Sequence, residues 1–178
     1  MILETKRLIL RPWRESDAED LYEFAKDPRV GPAAGWPVHT SVDDSRRIIR
    51  EVLSADETYA IVQKGEGKAI GSIGLMIGEK SNLAIGRDEA EIGYWIGVPY
   101  WGRGLVPEAV KALMKYAFEK AGIRKLWCGY FDGNDKSKRV QEKCGFRYCQ
   151  TKSNIVWPLM HDIRTEHITC VTKDQWPE

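Results

Sequence analysis

The stretch "GYWIGVPYWGRGLVPEAVKALMKYAFEKAG", residues 93–122, decides how this chain is read. Its first residues alternate as a strand does. A Gly-Arg-Gly step at 102–104 breaks the strand, and a long amphipathic helix follows. Val106, Val110, Leu113, Met114 and Ala117 fall on one stripe of that helix, and Gly122 ends it. The stripe is predicted core. Gly102 and Gly104 carry no side chain, so backbone amides at the joint can approach a ligand closely. The first amides of a helix have no partner within it, and the helix dipole is positive at that end. A glycine turn feeding a helix is therefore a seat for phosphate. Arg103 adds a mobile positive charge, and Pro107 suits a first helical turn. The same residues also fit a plain tight turn with an arginine in solvent. A dinucleotide fingerprint fails because its third glycine would fall at Pro107, and a P-loop fails for want of Gly-Lys-Ser/Thr.

The rest of the chain frames this joint. It has 178 residues, 43% of them hydrophobic and 30% charged, which suits one domain with a real core over 1–178. Lys+Arg number 27 and Asp+Glu 26, so the strong basic excess usual in a nucleic-acid binder is missing. No apolar run nears the ~18 residues of a membrane helix. The four cysteines, Cys128, Cys144, Cys149 and Cys170, show no Cys-x-x-Cys pair, so neither zinc spacing nor a disulfide framework is expected. These features predict a cytoplasmic protein with reduced thiols and no metal.

"KRLILRPW" predicts a first strand halted near Pro12. Ser16 with Glu19 has the spacing of a capping box, ahead of a helix that stops before Pro28. "VGPAAGWPVHTS" predicts a loop, and Ser41 with Asp44 a second cap for a helix to about Leu53. "TYAIVQ", "AIGSIGLMIG" and "AEIGYWIG" predict three strands. After the long helix, "KLWCGYF" predicts another strand. Asn134 caps a helix from Asp135 to about Lys143, and "FRYCQT" and "EHITCVT" predict two last strands. That order is a mixed α/β fold around one central sheet.

A second constellation is "NDKSKRVQEKCGF", residues 134–146. Ser137, Val140, Gln141 and Cys144 share one helix face. Val140 and Cys144 are apolar enough to turn that face inward, Ser137 with it. A hydroxyl there either serves a site or bonds back to its own helix. Asn134 is in the first place a cap.

Together, "YWGRGLVPEA" and "NDKSKRVQEKCGF" resemble the acetyl-CoA pyrophosphate loop and the following motif of the GNAT N-acetyltransferase superfamily. "ETKRLILRPWRESDAEDLYEF" and "AEIGYWIGVPYWGRG" resemble its Rim branch, which includes enzymes acting on ribosomal-protein N-termini. The resemblance covers nearly the whole chain. It implies a mostly antiparallel sheet of about seven strands flanked by about four helices and splayed at the acetyl-CoA site. It further implies that Gly102, Arg103, Gly104, Leu105 and Val106 offer backbone amides to the pyrophosphate. Trp95, Ile96, Gly97 and Val98 would pair with pantetheine as an added strand does, one amide facing the thioester oxygen. Asn134 would bond the pantetheine arm, and Ser137 would lie near the sulfur.

Two departures stand out. Trp101 and Val106 replace the family's usual Gln or Arg and Gly or Ala, and Gln141 stands where many relatives have a tyrosine general acid. Ser137 or water must then assist the leaving thiolate, or it leaves unassisted. Acyl transfer to an amine also needs a proton acceptor and a donor for the oxyanion. Glu91 is the candidate base, acting directly or through water: unless a bulge shifts the register, strand alternation puts it on one face with Gly93 and Trp95, and a solvated strand carboxylate also fits the sequence. Trp36, Pro37 and His39, with Trp157, Met160 and His161, are candidate acceptor contacts.

The function implied is transfer of an acetyl group from acetyl-CoA to a primary amine, on a protein N-terminus or a small molecule, by direct attack through a tetrahedral intermediate. The alternative is a non-catalytic acyl-CoA-binding sensor of the same fold. Neither a nucleic-acid nor a membrane partner is expected, and the late strands offer an edge for a homodimer.

Overall fold

Hydrophobic alternation becomes strand where predicted. In this computed structural model, which describes residues 1–176, the strands are β1 (Leu3–Glu4), β2 (Leu8–Pro12), β3 (Thr58–Gln63), β4 (Ala69–Ile77), β5 (Glu89–Ile96), β6 (Lys125–Phe131), β7 (Arg147–Trp157) and β8 (Asp162–Thr172). The helices are α1 (Ala18–Ala25), α2 (Gly31–Ala34), α3 (Val42–Ile48), α4 (Leu105–Glu119) and α5 (Asp135–Lys143). Among the described residues the strands form one eight-stranded sheet in the order β1-β2-β3-β4-β5-β6-β8-β7. β5 and β6 run parallel, with Glu89 opposite Lys125, so their connection must cross over, and α4 is that crossover. The predicted stripe on α4 is buried: Val106 is 7% exposed and Leu113, Met114 and Ala117 not at all.

The chain gathers into two compact units. One holds residues 1–74 and 94–109. Its strands pair antiparallel, Leu8 opposite Gln63 and Thr58 opposite Gly74. Trp13, Ala18, Leu21, Ala25, Ile49 and Ala60 form the heart of its core. Asp17 links strand to helix. Its two oxygens receive Arg11 at 2.8 Å each, and it also accepts the Arg14 amide at 2.9 Å. This replaces the box expected at Ser16 and Glu19, because Asp17 is buried and Arg11 fixes its orientation. Ser41 caps α3 as expected, taking the Asp44 amide at 3.0 Å, and the helix runs on as a π turn to Leu53. The predicted loop around Pro32 contains the one-turn helix α2.

The second unit holds residues 75–93 and, among the described residues, 110–176. β6 pairs with β8 and β8 with β7, both antiparallel. The last two strands are longer than predicted. They form a hairpin closed by the turn Pro158–Met160, where His161 takes a positive φ of 53°. Its length rests on pairing across the hairpin, as at Val156 opposite Ile163. The expectation of four reduced thiols is corrected here. Cys149 and Cys170 form a disulfide, with Cα atoms 6.4 Å apart. The register shifts between Tyr148 and Gln150, and Cys149 is the extra residue brought beside Cys170. Cys128 and Cys144 are buried thiols outside the disulfide, and Cys128 donates to the Ile92 carbonyl at 3.2 Å. Among the described residues no helix is long and apolar enough to cross a membrane.

Candidate active site

The joint at 97–106 lies wholly in the first unit. β5 ends at Ile96 and a short 3-10 turn, Val98–Tyr100, follows. Gly97 donates its amide to the Ile70 carbonyl at 2.8 Å. Its missing side chain is required by packing, since a Cβ there would run into the Phe24 ring. Trp101 folds back and donates its indole N–H to the Ile96 carbonyl at 3.0 Å. Two of the groups assigned to pantetheine, the Gly97 amide and the Ile96 carbonyl, thus have partners inside the protein.

Beyond Trp101 the backbone turns twice through the left-handed region. Gly102 and Gly104 both have φ of 71°. A Cβ at Gly102 would meet nothing within 4 Å, and one at Gly104 only the tip of Arg7 at 3.6 Å. The demand for glycine at this bend is therefore torsional. Gly102, Arg103 and Gly104 are exposed, whereas Leu105 and Val106 are buried and anchor the first turn of α4. Arg103 lies over the Tyr100 ring at 5.6 Å. The bend presents exposed backbone at a helix N-terminus, with nothing but a flexible arginine tip near the space a Cβ would take. These are the features a diphosphate seat requires.

Arg7, which sequence reasoning missed, reaches this bend from just before β2. Its Nη1 donates to the Arg103 carbonyl at 2.9 Å and its Nη2 to the Gly104 carbonyl at 3.2 Å. Its Nε and its amide donate to the two oxygens of Glu108, at 2.7 and 2.8 Å. Only a contact spanning about a hundred residues reveals this, so local spacing could not.

The same unit carries an aromatic group. Trp36 meets Trp95 edge-on at 5.4 Å, and Trp95 stacks against Trp13 at 6.5 Å. His39 is 5.2 Å from Trp36, is buried, and shares a hydrogen bond between Nδ1 and the Ser45 hydroxyl at 2.8 Å. Burial lowers its pKa. The fold thus brings together two predicted acceptor residues, Trp36 and His39, with Trp95, and adds Trp13.

In the second unit, Asn134 caps α5 by accepting the Ser137 amide at 3.3 Å. Gln141 is 1% exposed. Its amide group donates to the Gly129 carbonyl at 3.0 Å and to the Ser137 hydroxyl at 3.3 Å, and its oxygen accepts from Thr169 at 2.7 Å. The residue at the family's tyrosine position is thus a buried strut tying α5 to β6 and β8. Val140, expected inside, is only half-buried, and Cys144 is buried with its thiol pushed up to about 11 by burial.

Glu91 is the buried carboxylate of this unit, 8% exposed. Ser81 donates to it at 2.6 Å, and the Asn82 amide also donates. Burial outweighs these bonds and raises its pKa. Glu166, unrecognised in the sequence, lies over Gly129, where a Cβ would collide with its carboxylate. Burial and the charge of Glu91 raise its pKa too, while Lys152 acts against both shifts. Two carboxylates disfavouring charge in one region are suited to taking up a proton. Glu89, nearer the strand's start, accepts from the Trp127 indole at 2.6 Å. In the late segment Trp157 meets Phe131 edge-on at 5.0 Å, and Arg164 lies over that Phe131 ring at 4.5 Å. His167 bridges Asp132 and Thr151, at 2.8 Å each.

Comparison with known proteins matches the acetyltransferase (GNAT) domain to residues 7–147. The chain belongs to the GNAT acetyltransferase family. YdaF of Bacillus subtilis (strain 168), whose name marks it provisionally as a ribosomal N-acetyltransferase, is 36% identical over 79% of this chain and 78% of its own. The uncharacterized N-acetyltransferase p20 of Bacillus licheniformis is 32% identical over 82% of each. This kinship is consistent with the Rim branch of the GNAT family. A GNAT-family acetyltransferase from Bacillus anthracis has the same fold, with a TM-score of 0.84 at 22% identity over 98% of this chain and 99% of that one. The Microcin C7 self immunity acetyltransferase MccE, solved with acetyl-CoA and AMP, reaches 0.79 at 21% identity over 94% and 93%.

Proposed function

We propose that this GNAT acetyltransferase moves an acetyl group from acetyl-CoA to a primary amine, on a peptide N-terminus or a small molecule. The observation that carries the reading is the double left-handed bend at Gly102 and Gly104, exposed and set at the N-terminus of α4. The amides of Gly102 to Val106 are assigned to the diphosphate and the end of β5 to the pantetheine arm. Asn134 is assigned to that arm as well, and Ser137 to the neighbourhood of the sulfur.

In this reading Glu91 takes the proton from the acceptor ammonium, leaving a neutral amine. Burial suits it to the task, because a raised pKa strengthens a carboxylate as a base. The nitrogen lone pair then forms a bond to the thioester carbon. An amide at the end of β5 donates to the oxygen that becomes negative. The nitrogen, positively charged once bonded, gives its second proton to water as the carbon–sulfur bond breaks, and the thiolate takes a proton from water, directly or by way of the Ser137 hydroxyl, which water reprotonates. Gln141 supplies none, since an amide does not titrate and its hydrogens are bonded to Gly129 and Ser137. Trp36, Trp95 and His39 are assigned to the acceptor side. YdaF's name, that of a ribosomal N-acetyltransferase, supports ribosomal amines among the acceptors to test.

The absence of a titrating group at position 141 sustains one rival reading, acyl-CoA binding without turnover. A thiol-release assay with acetyl-CoA against a panel of amines, N-terminal peptides included, separates the two. Turnover of any amine supports catalysis. Tight acetyl-CoA binding with no turnover across the panel supports the sensor.

A further inference from the structure

We infer that Arg7 is a positioning residue for the coenzyme A diphosphate, acting through the carbonyls of Arg103 and Gly104 rather than by touching phosphate. The inference rests on the reading of the bend given under Proposed function.

A peptide group is planar and trans, so the C=O of one residue points opposite to the N–H of the next. Holding the Arg103 carbonyl therefore aims the Gly104 amide the other way. Holding the Gly104 carbonyl does the same for the Leu105 amide. Arg7 holds both, through Nη1 at 2.9 Å and Nη2 at 3.2 Å. Gly102 and Gly104 lack the Cβ that would restrict rotation of these peptide planes. The Gly104 carbonyl also accepts the Glu108 amide at 3.4 Å, but the Arg103 carbonyl, left alone, could turn toward the ligand, and a carbonyl dipole repels phosphate. The guanidinium fork fixes the polarity of the loop before any ligand arrives.

Arg7 is itself held. Its amide donates to Glu108 at 2.8 Å, and its carbonyl accepts from the Lys64 amide at 2.9 Å. Leu8, next in the chain, is fully buried. Glu108 stands in the first turn of α4, where an ionised carboxylate beside the diphosphate would be a liability. It receives Thr5 at 2.6 Å as well as two bonds from Arg7, so its charge is used internally. Burial pushes the Glu108 carboxyl up, but those hydrogen bonds outweigh it and hold the pKa below the usual range. The arrangement thus pairs the one negative charge beside the approach and turns two backbone dipoles toward it.

The test is calorimetric titration of the full chain with coenzyme A and with pantetheine, which lacks the diphosphate. Arg7→Met is expected to weaken coenzyme A binding by about 10- to 100-fold, the equivalent of about one charge-assisted hydrogen bond. Pantetheine binding should stay as it is, so the preference for coenzyme A over pantetheine collapses. Arg7→Lys keeps the charge but loses the fork, and should fall between; it also serves if the methionine variant proves unfolded. A wild-type preference that survives intact in both variants overturns the role of Arg7 and leaves the acetyl-CoA reading standing. A wild-type chain that binds no coenzyme A overturns both.

Discussion

Gln141→Leu isolates the strut that replaces the family's tyrosine. Leucine has nearly the same size, so the change removes hydrogen bonds with little loss of volume. Three bonds disappear: to the Gly129 carbonyl at 3.0 Å, to the Ser137 hydroxyl at 3.3 Å and from Thr169 at 2.7 Å. Thr169 keeps a partner in the Cys128 carbonyl at 3.3 Å, so it is not orphaned. A net bond contributes about 1 kcal/mol. With Thr169 partly compensated, the expected loss is about 2–3 kcal/mol. For a chain of this size each kcal/mol moves Tm by about 2–4 °C, so Tm should fall by about 4–12 °C. Differential scanning calorimetry on wild type and variant, each at pH 6 and pH 9, measures it. The loss should be alike at both values, because an amide does not titrate. Gln141→Tyr, which restores the family's residue, should also lose stability: the site is 1% exposed and already filled. A Gln141→Leu melting point within about 1 °C of wild type would refute the reasoning.

Three further outcomes are expected. Glu91→Gln should abolish most turnover, and with it the rise in rate expected of wild type as Glu91 ionises above the ordinary carboxylate range. Because the folded protein raises the Glu91 pKa, wild type loses stability as pH climbs from about 4.3 through the folded value; Glu91→Gln should therefore gain stability relative to wild type at pH 8 and not at pH 3.5. Gly104→Val puts a β-branched residue at a φ of 71°, a strain of about 1–2 kcal/mol, and should weaken coenzyme A binding roughly 10-fold by calorimetry, whereas Gly104→Asn, which tolerates that region, should weaken it less. Reducing the Cys149–Cys170 bond, which closes a loop of 21 residues, should destabilise the chain by about 3 kcal/mol in denaturant melts, and Cys149→Ser should make the melt indifferent to dithiothreitol.

The sequence by itself determined the elements and the joint. Strand alternation and helical spacing are set by neighbours a few residues apart, and so are caps such as Ser41 with Asp44 and Asn134 with Ser137. The Gly-Arg-Gly step and the Asn134–Phe146 motif were legible for the same reason, and they sufficed for the family. Tertiary structure decided what depends on register. The bulge that sets Cys149 beside Cys170 arises from pairing across the final hairpin. The reach of Arg7 to carbonyls 96 and 97 residues away has no local trace. Glu166 acquires its raised pKa only from a fold that buries it within the influence of Glu91. Gln141 looked like a missing acid, and only the surroundings that satisfy its amide from three sides make it a strut. Local backbone geometry is written in short spacings, whereas the partners of a buried polar group are chosen by which distant strands the chain sets side by side.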